Sequence, residues 1–355
     1  MQRKLALLAA TVGLTASTCG FAQGSVTLYG IVDGALLYTS KTYNAATGGS
    51  SGRQFAMVDS GTSPSQFGMS GTEDLGDGWR ASFRIESGFS VANGSFSNSN
   101  GNAFGRQAWL AMNGKLGEFK VGLQFSPFFV TLYETDPRGM SMFGSGLLVY
   151  ADHLLATGIF NSNAVSYTSP DIAGLSGSAM FAFGGSAGNF QAGRQYSVSL
   201  KYQIADLMVN AAIYNGNDGS NLSAPVGSTV AFDGRTLGAT YKFGTLTAKA
   251  SFTNYKVAQS FNSDVYGGGL DYMVLPQLDI NGGIWFTSDR NDTKNHSFLA
   301  AVGANYLTSK ATTLYAQVGV VNNHGAMNTG MFVNGALYGA TGTTIGAVTG
   351  IRTQF

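Results

Sequence analysis

The chain has 355 residues, and only 11% of them are charged, against roughly 25% in an ordinary soluble protein. Glycine reaches 50 residues, aromatics 12%, and the formal net charge is +1. Such a chain is too aromatic and too weakly charged to be disordered. Its single cysteine excludes a disulfide scaffold, and its charge gives no electrostatic reason to expect a nucleic-acid partner.

Residues 1–22 read as a secretory signal peptide. Arg3 and Lys4 form the basic start, and residues 5–14 an apolar stretch too short to span a bilayer. Gly20 and Ala22 put small residues at −3 and −1, so cleavage is expected after Ala22, and Cys19 leaves with the signal. Losing Arg3 and Lys4 takes the 20 basic residues to 18 against 19 acidic ones, a net −1 for residues 23–355. Further on, the stretches 172–193 and 311–351 carry no Asp, Glu, Lys or Arg, yet they are full of Gly, Ser, Thr and Asn. They lack the roughly 20 predominantly apolar residues of a membrane helix. If this chain sits in a membrane, it crosses as a closed barrel, the other structure that pairs every backbone group in lipid.

Alternation supports that reading. In 26–38 one face carries Val26, Leu28, Val32, Leu36 and Tyr38; in 236–243, Leu237, Ala239, Tyr241 and Phe243 oppose Thr236, Thr240 and Lys242. The polar face is mostly Gly, Ser, Thr and Gln with basic residues interspersed. The apolar face begins or ends on aromatics such as Trp79, Phe89, Tyr202, Phe243 and Phe355, as interfacial girdles do. About sixteen strands are predicted, at 25–38, 65–73, 79–89, 103–112, 118–124, 164–169, 175–183, 194–202, 207–215, 235–243, 246–255, 265–274, 278–288, 297–307, 311–321 and 346–355. Short connections at every second junction alternate with long ones at 39–64, 90–102, 125–163, 184–193, 216–234, 256–264, 289–296 and 322–345. The fold class is therefore all-β, a transmembrane antiparallel β-barrel with an even strand number that leaves no open edge.

Parity assigns the faces. Arg80, Arg84 and Glu86 point inward while Trp79, Ala81, Phe83 and Ile85 face lipid; Gln66, Lys120, Lys201, Lys242, Lys249 and Arg352 also point inward. An Arg or Lys facing lipid at mid-membrane would cost about 2–4 kcal/mol, so the one-sidedness is required.

Catalytic signals are weak. The three histidines, His153, His296 and His324, lie in or beside long connections, and Asp152-His153 is the one adjacent acid–imidazole pair. No Gly-x-Ser-x-Gly elbow occurs, Gly267-Gly268-Gly269 lies inside a strand, and no His/Cys cluster suggests zinc. No enzyme activity, cofactor or metal is expected.

Several stretches resemble the general porins of Gram-negative β-proteobacteria. They are Ser25-Val26-Thr27-Leu28-Tyr29-Gly30-Ile31-Val32-Asp33, Phe67-Gly68-Met69-Ser70-Gly71-Thr72-Glu73-Asp74-Leu75-Gly76-Asp77-Gly78, Phe104-Gly105-Arg106-Gln107-Ala108, Ser166-Tyr167-Thr168-Ser169-Pro170 and the end Gly350-Ile351-Arg352-Thr353-Gln354-Phe355. The resemblance implies a sixteen-stranded barrel, usually a homotrimer, in the outer membrane among lipid and lipopolysaccharide. It implies a passive diffusion channel for ions and small hydrophilic solutes, with the loop 125–163 folded into the lumen as a constriction. Its terminal Phe355 would be read by the barrel-insertion machinery. The alternatives are a barrel hydrolase built around Asp152 and His153, or an adhesin or receptor barrel with a plugged lumen.

A diffusion pore selects by width and by the charges at its narrowest point. The acidic side of the constriction is expected from Glu134, Asp136 and Asp152 of the loop, and the basic side from Arg84 and Arg106 of the wall. The chain departs from its relatives at Gln66, Leu123 and Phe160, where a basic residue is common. A loop of formal −2, counting Arg138, then faces two arginines, and the expectation is an anion/cation permeability ratio near one. Apolar loop residues Phe128, Phe129, Tyr133 and Phe143 would instead favour solutes with an apolar face.

Overall fold

A computed structural model describes residues 25–154, 158–217, 230–258 and 260–355. The expected signal peptide and its cleavage site lie outside the described residues. The first part of the wall is β1 (Ser25–Thr39), β2 (Gln54–Asp59), β3 (Gln66–Gly76), β4 (Trp79–Gly88), β5 (Gln107–Gly114) and β6 (Gly117–Gln124). Two short helices follow, α1 (Pro127–Thr135) and α2 (Gly146–Leu154). The wall resumes with β7 (Asn161–Thr168), β8 (Leu175–Ala182), β9 (Gln195–Ile204), β10 (Leu207–Gly216), β11 (Phe232–Phe243), β12 (Leu246–Val257), β13 (Asn262–Leu275), β14 (Leu278–Asp289), β15 (His296–Leu307) and β16 (Thr312–His324). A hairpin, β17 (Thr329–Phe332) and β18 (Ala336–Tyr338), precedes the last strand, β19 (Gly342–Gln354).

Every neighbouring pair is antiparallel, and β19 closes on β1 with Ile31 opposite Gln354 and Thr39 opposite Gly346. The expected strand at 65–73 is in fact the second half of a broken one. Both β3 and β2 lie along the same side of β1, β3 against Ser25–Ile31 and β2 against Gly34–Thr39. Together they fill one wall position, so the closed barrel has sixteen. The connection expected at 39–64 therefore contains a strand, in which exposed Phe55 and Met57 continue the outward alternation.

Asp33 explains the break. It points inward, fully buried, and its carboxylate accepts the backbone N–H groups of Gly61, Thr62 and Ser63 at 3.0, 2.9 and 2.8 Å. The Thr62 and Tyr315 hydroxyls donate to it as well. A buried carboxylate needs such donors, and residues 60–65 leave the ladder to supply them. The second departure is the hairpin β17–β18 within the long connection 322–345, where Thr329 pairs with Tyr338.

The barrel is apolar outside. Val26 is 64% exposed and Leu237 and Ile284 are each 55% exposed, while their neighbours on the other parity, such as Thr236 and Thr240, are buried. A continuous apolar belt of this kind would be a liability in water and is the requirement of a barrel wall in lipid. Trp79, Tyr202, Tyr241, Phe243, Tyr272 and Phe355 remain exposed near the short-turn rim, where amphipathic rings meet the interface. The buried apolar cluster lies inside, between the folded-in loop and the wall, with Phe128, Leu132, Leu148, Tyr150, Tyr214, Phe232 and Tyr255 among its members.

Candidate functional site

The described part of the loop, residues 125–154 and 158–160, is held against one side of the lumen. Ser126 caps α1 by accepting the Phe129 N–H at 3.1 Å, and Pro127 stands at the first turn, where its missing N–H costs nothing. Phe128, Thr131, Leu132 and Thr135 recur at helical spacing and form the buried face. Phe128 sits about 6 Å, ring to ring, from Tyr150, Tyr214 and Tyr255, and its N–H donates to Ser197 Oγ at 3.0 Å. Glycine at two wall positions allows this approach. A Cβ on Gly234 would stand 2.6 Å from the Phe128 ring, and one on Gly238 would stand 2.5 Å from Thr135 Cγ2. The opposite face of α1 leaves Val130 and Tyr133 exposed.

Three acidic loop residues are placed very differently. Glu134 accepts from Lys201 Nζ at 2.7 Å and from Asn210 Nδ2 at 2.9 Å, so β9 and β10 hold its carboxylate. Asp136 is buried: one oxygen accepts the N–H groups of Arg138 and Met140 at 2.9 and 3.0 Å, the other the Gly146 N–H at 2.8 Å. It thus ties the end of α1 to the start of α2. Burial pushes its carboxyl above the usual range, while those three donors and Arg138 pull it back down. Asp152 on α2 is almost enclosed and accepts from Thr329 Oγ1 at 2.9 Å, and burial pushes its carboxyl up too. Arg138, counted among the constriction charges from sequence, is a fastener. It donates to Asn281 of β14, Gln317 of β16 and the Phe143 carbonyl.

The facing wall carries the positive groups. Arg84 on β4 lies 5.2 Å from the Tyr29 ring centre and 5.9 Å from that of Trp109, and no ion-pair partner for it occurs among the described residues. Lys120 sits 4.6 Å over Trp109 and pairs with Glu118 at 2.7 Å. Glu86, 2% exposed, gathers the Tyr29 hydroxyl at 2.9 Å, Gln66 Nε2 at 3.2 Å and Arg106 Nε at 3.0 Å. Gln66, Arg84, Glu86 and Arg106 thus form one cluster, and Lys120 joins its lower edge through Trp109. Arg80 stands apart, exposed near the short-turn rim. Leu123 pairs with Ala108, but it lies within the register shift between Gly122 and Gln124 and is buried. Tyr29 and Trp109 were missed as site residues, although an aromatic side chain on the polar parity of a strand is a readable signal.

The Asp152–His153 pair meets a serine. His153 Nε2 lies 3.1 Å from Ser263 Oγ, but its Nδ1 is 2.9 Å from the Val149 carbonyl and 3.8 Å from Asp152. The imidazole is oriented by a backbone carbonyl, and Ser263 is fully buried, so this is a packing contact without an exposed nucleophile. His296 and His324 pair across strands on the outer face. No cluster of three metal-ligating side chains occurs among the described residues.

An antiparallel barrel, apolar outside and charged within, its lumen narrowed by an inward-folded loop, defines a transmembrane diffusion channel of the outer membrane. The match to family models agrees with that class: residues 6–326 match the Gram-negative porin family, and the chain belongs to it. It is 28% identical over 372 residues to outer membrane porin protein 32 of Delftia acidovorans, covering 99% of this chain and all of that one. It is 28% identical over 327 residues to an outer membrane porin protein of Bordetella pertussis, covering 85% and 81%. Among solved structures it is similar to an anion-selective porin from Comamonas acidovorans, with a TM-score of 0.79, 25% identity and coverage of 94% of this chain and 100% of that one. The protein is a passive channel of the Gram-negative outer membrane and not an enzyme.

Proposed function

We propose that this channel passes small hydrophilic anions ahead of cations, with the field set by Arg84, beside which Arg106 lines the opening paired with Glu86. One observation carries the reading. None of the loop acids offers a free carboxylate to the opening: Glu134 is paired with Lys201, and Asp136 and Asp152 are buried in loop-shaping contacts. Arg84, by contrast, has only aromatic rings beside it. The near balance expected from formal charges therefore shifts towards positive at the opening. A charge in a narrow aqueous gap acts more strongly than on an open surface. The anion-selective porin of similar fold supports the same sign. The test is the reversal potential of single channels across a salt gradient. An anion preference that falls when Arg84 is replaced by Gln supports the reading, and a cation preference overturns it.

The homotrimer is proposed on the family resemblance and on the seam between β1 and β19. There Gly34 and Ala347 lie on the outward parity, and small side chains let walls approach. Gly350, further along the same strand, faces inward beneath Tyr315, whose hydroxyl would meet an added Cβ at 2.3 Å. Gly30 is covered by the Phe355 ring. Lipopolysaccharide as the outer neighbour and recognition of Phe355 by the insertion machinery belong to the same proposal.

A further inference from the structure

Beside the constriction lies a cavity of about 380 Å³, bounded by the loop on one side and by residues 59–65, 96–99 and 333–337 on the others. Its volume falls in the range of small-ligand sites. Three phenylalanines face it from the two roots of the loop. Phe125 is 5.5 Å from Phe129 and 5.7 Å from Phe160, centre to centre, and Leu147 and Ile159 extend the apolar lining. Arg106 completes the cavity, its guanidinium carbon 5.4 Å over the Phe160 ring. The Nε of Arg106 is engaged by Glu86, and its two terminal nitrogens have no hydrogen-bond acceptor among the described residues.

We infer that this cavity is a binding subsite for small aromatic monocarboxylates entering the channel. The inference rests on the placement of Arg106 at the opening proposed above. Two Nη groups present the fork that a carboxylate accepts bidentately. A ring attached to that carboxylate would fall among Phe125, Phe129 and Phe160, at separations where aromatic pairs attract beyond simple burial. Asp59 also borders the cavity, its carboxylate held by the Val91 N–H at 2.9 Å and by the Ser60 hydroxyl. That fixed negative charge disfavours a second carboxylate on the solute and restricts the subsite to monoanions.

The test uses the whole channel in planar bilayers, with chloride current blocked by benzoate or by acetate. An aromatic pair worth 0.5–1.5 kcal/mol predicts a half-blocking concentration for benzoate about two- to tenfold below that for acetate. Phe160→Leu and Phe129→Leu keep apolar volume and remove one ring each, and the ratio should fall towards one in both. Equal block by the two acids in the unaltered channel, or a ratio unmoved in both variants, overturns the subsite. The reversal potential of the same channels separates the two readings. Equal block in a channel that still prefers anions removes the subsite alone. Preferential benzoate block in a channel without anion preference removes the selectivity reading alone.

Discussion

At the residue scale, selectivity is decided by which charges are left unpaired. Arg84 has no acid beside it, whereas Glu86 is shared among Tyr29, Gln66 and Arg106. A unit charge about 4 Å from an ion in water is worth about 1 kcal/mol, which is roughly fivefold in a permeability ratio. Arg84→Gln should therefore lower the anion/cation ratio about fivefold, and Gln66→Arg should raise it by a similar factor, since Gln66 reaches the Glu86 cluster. Reversal potentials measured at one salt gradient check both, and shifts of the same sign for the two variants would contradict the assignment. Asp152 gives a pH dependence. Burial raises its carboxyl, so the folded chain binds that proton more readily than the unfolded chain does. Ionising it costs stability at neutral pH, and acidification through the folded pKa towards the usual carboxylate range returns it. The heat-induced mobility transition should move to higher temperature by this contribution as the pH falls from neutral towards the usual carboxylate range. Asp152→Asn, which still accepts from Thr329, should flatten that rise.

At the element scale, the position of α1 sets the width of the opening. Asp136 fastens its end through N–H groups on both sides of the carboxylate. An asparagine must turn its NH₂ towards one set of those donors, so Asp136→Asn should cost about 1–3 kcal/mol. Single-channel records should then show added current noise from a loosened loop. Gly238→Ala acts from the wall. Its Cβ would stand 2.5 Å from Thr135 Cγ2, so α1 must move towards the lumen, at a cost of about 1–3 kcal/mol. Unit conductance should fall, and an unchanged conductance would mean that α1 is seated by other contacts.

At the scale of the whole molecule, closure depends on the seam between first and last strands. Gly30 and Phe355 exchange backbone hydrogen bonds at 3.0 and 3.1 Å, and the exposed Phe355 ring lies over Gly30. Deleting Phe355 removes that pair and the terminal ring together. The expected outcome is a sharp loss of heat-modifiable barrel recovered from outer membranes, with trimer mass in mild detergent declining in parallel.

The wall was legible in the sequence because a strand's side chains alternate with a period of two, and lipid penalises a charge on the outward set at mid-membrane. That constraint makes Arg84, Glu86 and Lys120 inward by position alone, and it placed most wall strands within a few residues. It does not reach β2, because residues 60–65 fold inward to satisfy Asp33 and interrupt the pattern. Nor does it reach the loop. The carboxylates of Glu134, Asp136 and Asp152 are alike in sequence, and only their three-dimensional partners separate an ion pair with Lys201 from a backbone cap and a buried contact to Thr329. Strand parity is local and periodic, so the chain itself states it. Charge pairing across the lumen joins residues as far apart as Arg138 and Gln317, and only closure of the barrel brings them within reach.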